Sequence, residues 1–326
     1  MTLIENETDW NHPSRFAIGS QTSRSRFDKL GISNIKVRGI SKLVEDGFTN
    51  IDTADSYGYR NEVIGLFLKE ISRERVSIIS KVFFPFPNQV SGGKLSKTNI
   101  SNSIDYSLNV LGTSYIDVLL AHRFDKETKL IETIAAFNSE IECGRIGSWG
   151  ISEWPLIEIK KTIDICERNG YAKPILNQVQ GSFLWRVSNQ TIVPFCKSEG
   201  IRTMAWSPLA QGIMTGSYRR VGEYSRKSRM KLNKTPFLAH FENQDLFHQI
   251  HKFSALNNLS SLQMVSISYY WLLSIINFDS IVISPKNRQV SETFPDIARF
   301  ASELSLITEK YAMFGDEWVG KDSPRD

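Results

Sequence analysis

Eight short apolar segments recur along the sequence with amphipathic stretches between them, and that alternation decides the fold class before any single residue is considered. The strand-like segments are Arg15 to Ser20, Thr49 to Ala54, Val76 to Val82, Tyr115 to His122, Ile146 to Ser152, Ile175 to Gly181, Ile201 to Pro208 and Ser280 to Pro285. The helix-like stretches are Val37 to Gly47, Asn61 to Ile71, Lys97 to Gly112, Leu130 to Gly144, Trp154 to Gly170 and Thr191 to Gly200. Five of them stop on a glycine with a strand soon after, the punctuation of a βα unit. One unbroken series of eight predicts a (β/α)8 barrel, an α/β single domain over 1–326, with a core of about 15–299 and a tail of about 300–326.

The first strand excludes the other common α/β solution. "FAIGSQTSRSRF" carries one glycine where a Rossmann fingerprint needs three, so a dinucleotide site of that kind is not expected. With 41% hydrophobic and 23% charged residues, the composition is that of a globular chain, and a net charge of +4 is too small to imply a nucleic-acid partner. Three widely separated cysteines, Cys143, Cys166 and Cys196, offer neither a disulfide framework nor a metal pair. The N-terminus has no apolar leader, and the most apolar stretch, Met264 to Phe278, is shorter than the ~20 residues a membrane crossing needs. A soluble, cytoplasmic protein is the expectation, and that apolar stretch reads as a buried helix leading to a strand.

Active sites of such barrels lie at the C-terminal ends of the strands. There the second, third and fourth segments carry Asp52 with Tyr57, Lys81, and His122. A free phenol has a pKa of ~10, and an ammonium ion beside its oxygen favours the phenolate. Asp52 would keep Lys81 charged and fixed, as a partly buried lysine requires, and His122 would orient a substrate oxygen beside Tyr57. The set suits a reaction in which negative charge develops on an oxygen, such as a carbonyl accepting hydride. It lacks a metal ligand set, so no metal is expected. The segment from Gly212 to about Gln244 has no strong periodicity and reads as a long basic loop, either simply solvated or acting as a lid over an anionic cofactor.

On these residues the sequence resembles the aldo-keto reductase superfamily, nearest its bacterial and potassium-channel β-subunit-like branch. The motifs are "DTADSYGYRNE" with Asp52, Tyr57 and Glu62, "IISKV" with Lys81, "LLAHRFD" with His122, "GRIGSWGISEW", and "AWSPLAQGIMTGSY". They cover about Arg15 to Arg299. The resemblance implies that Tyr57 donates the proton, that a nicotinamide ring stacks on Trp206, and that Ser152 and Gln178 hold its carboxamide. It also implies a pyrophosphate against Ser207, Leu209 and Gly212, and adenosine contacts from Lys286, Arg288 and Gln289. A lysine and an arginine there suit the 2′-phosphate of NADP(H) rather than NAD(H).

Two departures from the family pattern stand out. Glu153 follows Ser152 where the family commonly has asparagine, so its side chain either turns outward or reshapes the pocket. The loop after the eighth strand is also shorter before Gln289 by about two residues. The implied function is an NADP(H)-dependent reductase of an aldehyde or ketone. Arg24 and Arg26 after the first strand either favour a phosphorylated or sugar-like substrate or face water, and Phe314 and Trp318 of the tail pack over the barrel or line its mouth. The alternative from the same resemblance is a nicotinamide-binding sensor or regulatory subunit with little turnover.

Overall fold

The computed structural model describes residues 9–20, 31–87, 89, 93–226, 228–232, 235–284, 292–315 and 318–319. Eight parallel strands close into a barrel in sequence order, β1 (Phe16–Gly19), β2 (Asn50–Asp52), β3 (Ser77–Val82), β4 (Ile116–Ala121), β5 (Ile146–Ser152), β6 (Leu176–Gln180), β7 (Arg202–Trp206) and β8 (Ser280–Ile283). The seam closes where Ala17 pairs with Val282. Between the strands run α1 (Gly31–Glu45), α2 (Tyr59–Leu68), α3 (Lys97–Leu111), α4 (Leu130–Glu142), α5 (Leu156–Asn169) and α6 (Ile192–Ser198).

Strand β7 is followed by α7 (Arg229–Leu232), α8 (Pro236–His240), α9 (Gln244–Leu256) and α10 (Ser261–Tyr270), and β8 by α11 (Ile297–Glu309). Five of the helices end at or just before the glycine their sequences predict, whereas α2 stops at Leu68, short of Ile71. Gly112 and Gly170 cap α3 and α5 in the left-handed conformation, at φ 66° each, where a side chain would be strained. The apolar run from Met264 is the buried helix expected, with α10 passing into a π-helical turn, Trp271–Ile275, ahead of β8.

Two apolar layers hold the barrel. Ala17, Ile79, Val118, Leu120, Leu176 and Met204 fill its interior, and the alternate residues of each strand face the helices. Gly150 makes room inside, since a Cβ there would sit 2.6 Å from Leu120 Cδ2 and 2.4 Å from the Leu176 carbonyl. The register then fixes which polar residues point inward. Asp52 pairs with Ile79, so it shares that residue's inward side, and Lys81 stands one inward step above. By the same period of two, His122 follows Leu120, Ser152 follows Gly150, Gln178 follows Leu176 and Trp206 follows Met204.

The segment after β7 differs from the loop its sequence suggests. It contains a 3-10 turn, Ala210–Thr215, and the short helices α7 and α8, and it buries Tyr218, Met230, Phe237, Leu238 and Phe241. Apolar anchors spaced too irregularly to show a period attach a charged surface to the core. No helix among the described residues is long and apolar enough to cross a membrane.

Candidate active site

Lys81 is fully buried, and its Nζ donates to Asp52 Oδ1 at 2.7 Å and to the Thr53 carbonyl at 2.8 Å. Burial alone would lower its pKa, but the charge of Asp52 and the Tyr57 phenol outweigh that and hold it above the ordinary lysine value. The ammonium lies 5.2 Å from the centroid of the Tyr57 ring, and that ring lies 6.2 Å from the His122 imidazole. Four groups from three strand ends therefore meet at one mouth, as the motif spacing predicts.

The turn that presents Tyr57 is built locally. Asp55–Tyr57 forms one 3-10 turn closed by Gly58 at φ 60° and ψ −130°, a conformation that favours glycine. Ser20 Oγ donates to Thr53 Oγ1 at 2.9 Å, Thr53 Oγ1 donates to Asn61 Oδ1, and Asn61 Nδ2 donates to the Ala54 carbonyl at 2.6 Å. This buried chain ties β1, β2 and the start of α2 together beneath the phenol. Asp55 is wholly buried and accepts from Ser103 Oγ at 2.6 Å and from the Ser56 N–H. Sequence reasoning passed over Thr53, Asp55 and Asn61, although all lie inside the motif that supplied Asp52 and Tyr57. Nothing local separates a residue that touches substrate from one that braces its neighbour.

Burial, with Arg123 and Lys81 adding to it, pushes the His122 pKa well below its ordinary value, so the ring is neutral. Its Nδ1 is buried with no partner among the described residues. A neutral imidazole carries one ring N–H, so His122 can serve as a neutral hydrogen-bond donor. Phe84 packs edge-on against the imidazole at 5.0 Å and against Phe83 at 5.1 Å, so the wall beside His122 is aromatic. Phe84 was not singled out from the sequence, where "VFFPFP" gives no sign of which ring turns toward the histidine.

The remaining rim residues fall into two groups. Ser152 and Gln178 are buried neighbours in register, and Gln178 Nε2 reaches Asp52 Oδ1 at 2.7 Å and Met204 Sδ at 3.2 Å, so this amide is coupled to the Asp52–Lys81 pair. Trp206 is half-buried at the end of β7. Beyond it Ser207, Ala210, Gln211 and Gly212 all have positive φ, from 46° to 105°, and coil the chain tightly. Successive residues of this kind make a concave turn of backbone amides of the sort that receives an anion. Leu209 anchors this turn on the core, and Tyr218 and Thr235 of the following segment pack on Gly212 and bond Gln211. Gln180 Nε2 and Gln211 Nε2 are buried without partners among the described residues, a cost that a polar ligand at this mouth would relieve. An aromatic face, buried amides and an anion-receiving turn fit a nicotinamide nucleotide.

Glu153 turns inward. It is 6% exposed, and its Oε1 accepts the Trp206 indole N–H at 2.7 Å and the backbone N–H of Gln180. Of the two outcomes the sequence left open, the acid reshapes the pocket. Lys286, Arg288 and Gln289, with Arg24 and Arg26, lie outside the described residues.

The profile described as "Aldo/keto reductase family" matches residues 33–298, a span that runs from within α1 through β8. The chain belongs to this family. A putative voltage-gated potassium channel subunit beta from Schizosaccharomyces pombe is 34% identical over 181 residues, 53% of this chain and 52% of that protein. A versiconal hemiacetal acetate reductase from Aspergillus parasiticus is 34% identical over 196 residues, covering 54% and 57%. A probable voltage-gated potassium channel subunit beta from Arabidopsis thaliana is 28% identical over 276 residues, covering 82% and 83%. The chain thus spans about half the length of the first two and most of the third.

Proposed function

We propose that this aldo/keto reductase is an NADP(H)-dependent enzyme that reduces an aldehyde or ketone to the alcohol, with Tyr57 as the proton donor. The observation that carries the reading is the fully buried Lys81 paired with Asp52 directly below the Tyr57 ring, beside a neutral His122. A charged, hydrogen-bonded lysine in a dry site is costly to maintain, and its use here is to stabilise negative charge on the phenol oxygen as the proton leaves. His122, donating from one nitrogen, holds the carbonyl oxygen where Tyr57 reaches it. Bound nicotinamide supplies the hydride. Trp206, Ser152 and Gln178 would hold its ring and carboxamide, and Ser207, Leu209 and Gly212 its pyrophosphate. Lys286, Arg288 and Gln289 would take the adenosine end, and the cationic pair is the ground for NADP over NAD.

The aromatic wall of Phe83 and Phe84 favours a substrate whose carbonyl is carried on a flat, apolar group over a phosphorylated sugar. A sensor with little turnover has less support, because a proton donor, its charged lysine and a carbonyl-orienting imidazole are needed for turnover and not for binding.

The test is a titration with NADPH and with NADH, followed by aryl and alkyl aldehydes and ketones with absorbance at the reduced-cofactor band as readout. Tyr57→Phe is expected to lower kcat by about two to four orders of magnitude while cofactor affinity stays within about twofold. Unchanged turnover in that variant would remove Tyr57 as the donor, and equal affinity for both cofactors would remove the preference for NADP(H).

A further inference from the structure

Asp125 follows His122 by three residues, in the connection from β4 to α4. It is buried, and its carboxylate accepts the Glu127 N–H at 2.9 Å, the Thr128 hydroxyl at 2.6 Å and the Leu95 N–H at 2.9 Å. The first two bonds close its own turn, as aspartates in loops commonly do. The third does not: Leu95 lies thirty residues earlier, in the connection from β3 to α3. The carbonyl of the same Leu95 receives the Thr133 hydroxyl of α4 at 3.1 Å, so this wholly buried residue is gripped on both sides by the unit that carries His122. The Lys94–Glu127 ion pair beside it is exposed and adds little. Burial would raise the Asp125 pKa, but the bonds from Thr128, Leu95 and Glu127 outweigh it and hold the carboxyl below its ordinary range.

Holding Leu95 fixes the aromatic wall. The Lys94 N–H donates to the Phe83 carbonyl, and Asn99 Nδ2 of α3 donates to the Lys94 carbonyl at 2.7 Å, so the limb at 93–95 is bonded to the limb at 83–87. Gly93, at φ 103°, lets the limbs approach, since a Cβ there would stand 2.9 Å from the Phe83 carbonyl. The limb at 83–87 sets Phe84 against His122 at 5.0 Å and stacks Phe86 on Tyr106 of α3 at 4.5 Å. We propose that Asp125 is a positioning residue for substrate choice: its hold on Leu95 fixes the Phe83 and Phe84 wall at its spacing from His122, and that spacing gives aryl carbonyls their advantage over alkyl ones. The inference rests on the reading above of that wall as the face that receives substrate. A gap of about 0.5–1 Å forfeits about a quarter to a half of a van der Waals contact, so a rigid flat ring loses when the wall shifts, whereas a flexible alkyl chain follows it. With His122 and Asp125 on one short connection, the group that holds the carbonyl oxygen and the group that sets the wall keep a common frame.

The experiment is steady-state reduction of benzaldehyde and of hexanal by the full chain with NADPH, in the wild type, Asp125→Asn, Phe84→Ala and the double variant. Asparagine keeps the volume but loses the charge and one of the accepting oxygens. In Asp125→Asn the KM for benzaldehyde is expected to rise about fivefold to tenfold, while its kcat and both constants for hexanal stay within about twofold of wild type. In the Phe84→Ala background the same change should leave the benzaldehyde-to-hexanal ratio where it is, because the wall through which Asp125 acts is gone. Equal losses on both aldehydes overturn the proposal and leave Asp125 a structural residue only; an unchanged benzaldehyde KM, or a full effect without Phe84, overturns it too. Should Asp125→Asn fail to fold, Asp125→Ser removes the same grip and is read by the same outcomes. A wild type that turns over neither aldehyde sinks the reductase reading, and one without a preference for benzaldehyde sinks the role given to the wall; both results precede any variant and are distinct from the variant's.

Discussion

Asp55 is the residue whose chemistry most exceeds what its place in the motif suggests. Burial raises its carboxyl pKa to about 7, against hydrogen bonds from Ser103 and Ser56 and the charge of Lys81, all of which act to lower it. Between about pH 4 and pH 7 the folded protein therefore holds a proton that the unfolded chain has released, so this group's contribution to stability falls as pH rises through that window. Integrated over the shift, the loss amounts to up to about 4 kcal/mol by pH 7.5. Asp55→Asn keeps the shape without the titration, and its urea midpoint is expected to vary less between pH 5 and pH 7.5 than that of the wild type. An identical pH slope in both would show that Asp55 does not carry the effect. The contrast with Asp52, three residues away, shows where the sequence stops being informative. Asp52 was legible because it ends a strand on the inward parity with a lysine two strand positions above its partner Ile79. Asp55 points between α2 and α3, and its environment is made by Ser103, nearly fifty residues further along the chain.

At the scale of elements, α2 and α3 must pack closely for the Tyr57 turn to sit where it does, and Gly65 permits this. A Cβ at Gly65 would stand 2.4 Å from the Val110 carbonyl and 3.4 Å from Leu111 Cα, both backbone atoms of α3 that cannot rotate away. Alanine normally favours a helix over glycine by up to about 1 kcal/mol, so the sign depends on sterics. The overlap wins here, and Gly65→Ala is expected to destabilise by about 1–3 kcal/mol, read as a lower urea midpoint. Because Asn61 on the same helix bonds the carbonyl of Ala54 just before the turn, turnover should fall as well. A stability equal to or above wild type would mean that α2 and α3 are free to separate. Most strands and helices were legible for a general reason: strands of a parallel barrel are covered on both faces and read as unbroken apolar runs, and their helices end on glycines. The segment after β7 was not, because its helices are too short to show a period and its anchors, Tyr218 and Phe237 among them, are scattered through charged sequence. Glu153 was half legible. Its departure from the family pattern was visible, but its inward turn depends on a left-handed backbone that no residue type announces.

For the whole molecule, closure of the barrel is what assembles the site, since its groups stand on or just beyond the ends of β2 through β7. The seam between β1 and β8 has a specific fastener in Arg15, at the foot of β1. The residue is 9% exposed, and its guanidinium donates to three main-chain carbonyls around the approach to β8, Leu273 at 3.0 Å, Phe278 at 2.7 Å and Asp279 at 3.2 Å. Burial lowers its pKa, with Asp279 and Asp9 opposing, but an arginine remains charged throughout the working range. Replacement by methionine would fill the volume while leaving those carbonyls without their donor, at an expected cost of about 2–4 kcal/mol. Arg15 lies at the opposite end of the barrel from Tyr57, so the chemistry itself should survive: Arg15→Met is expected to lose thermal stability while kcat well below its melting temperature stays near wild type. Bound cofactor should then restore part of the loss by mass action, about 2.7 kcal/mol at a hundredfold excess over Kd, because only the closed barrel offers the complete site. A variant whose melting temperature does not respond to saturating cofactor, while the wild type's does, would mean that the seam governs the mouth directly and that the two ends of the barrel are coupled.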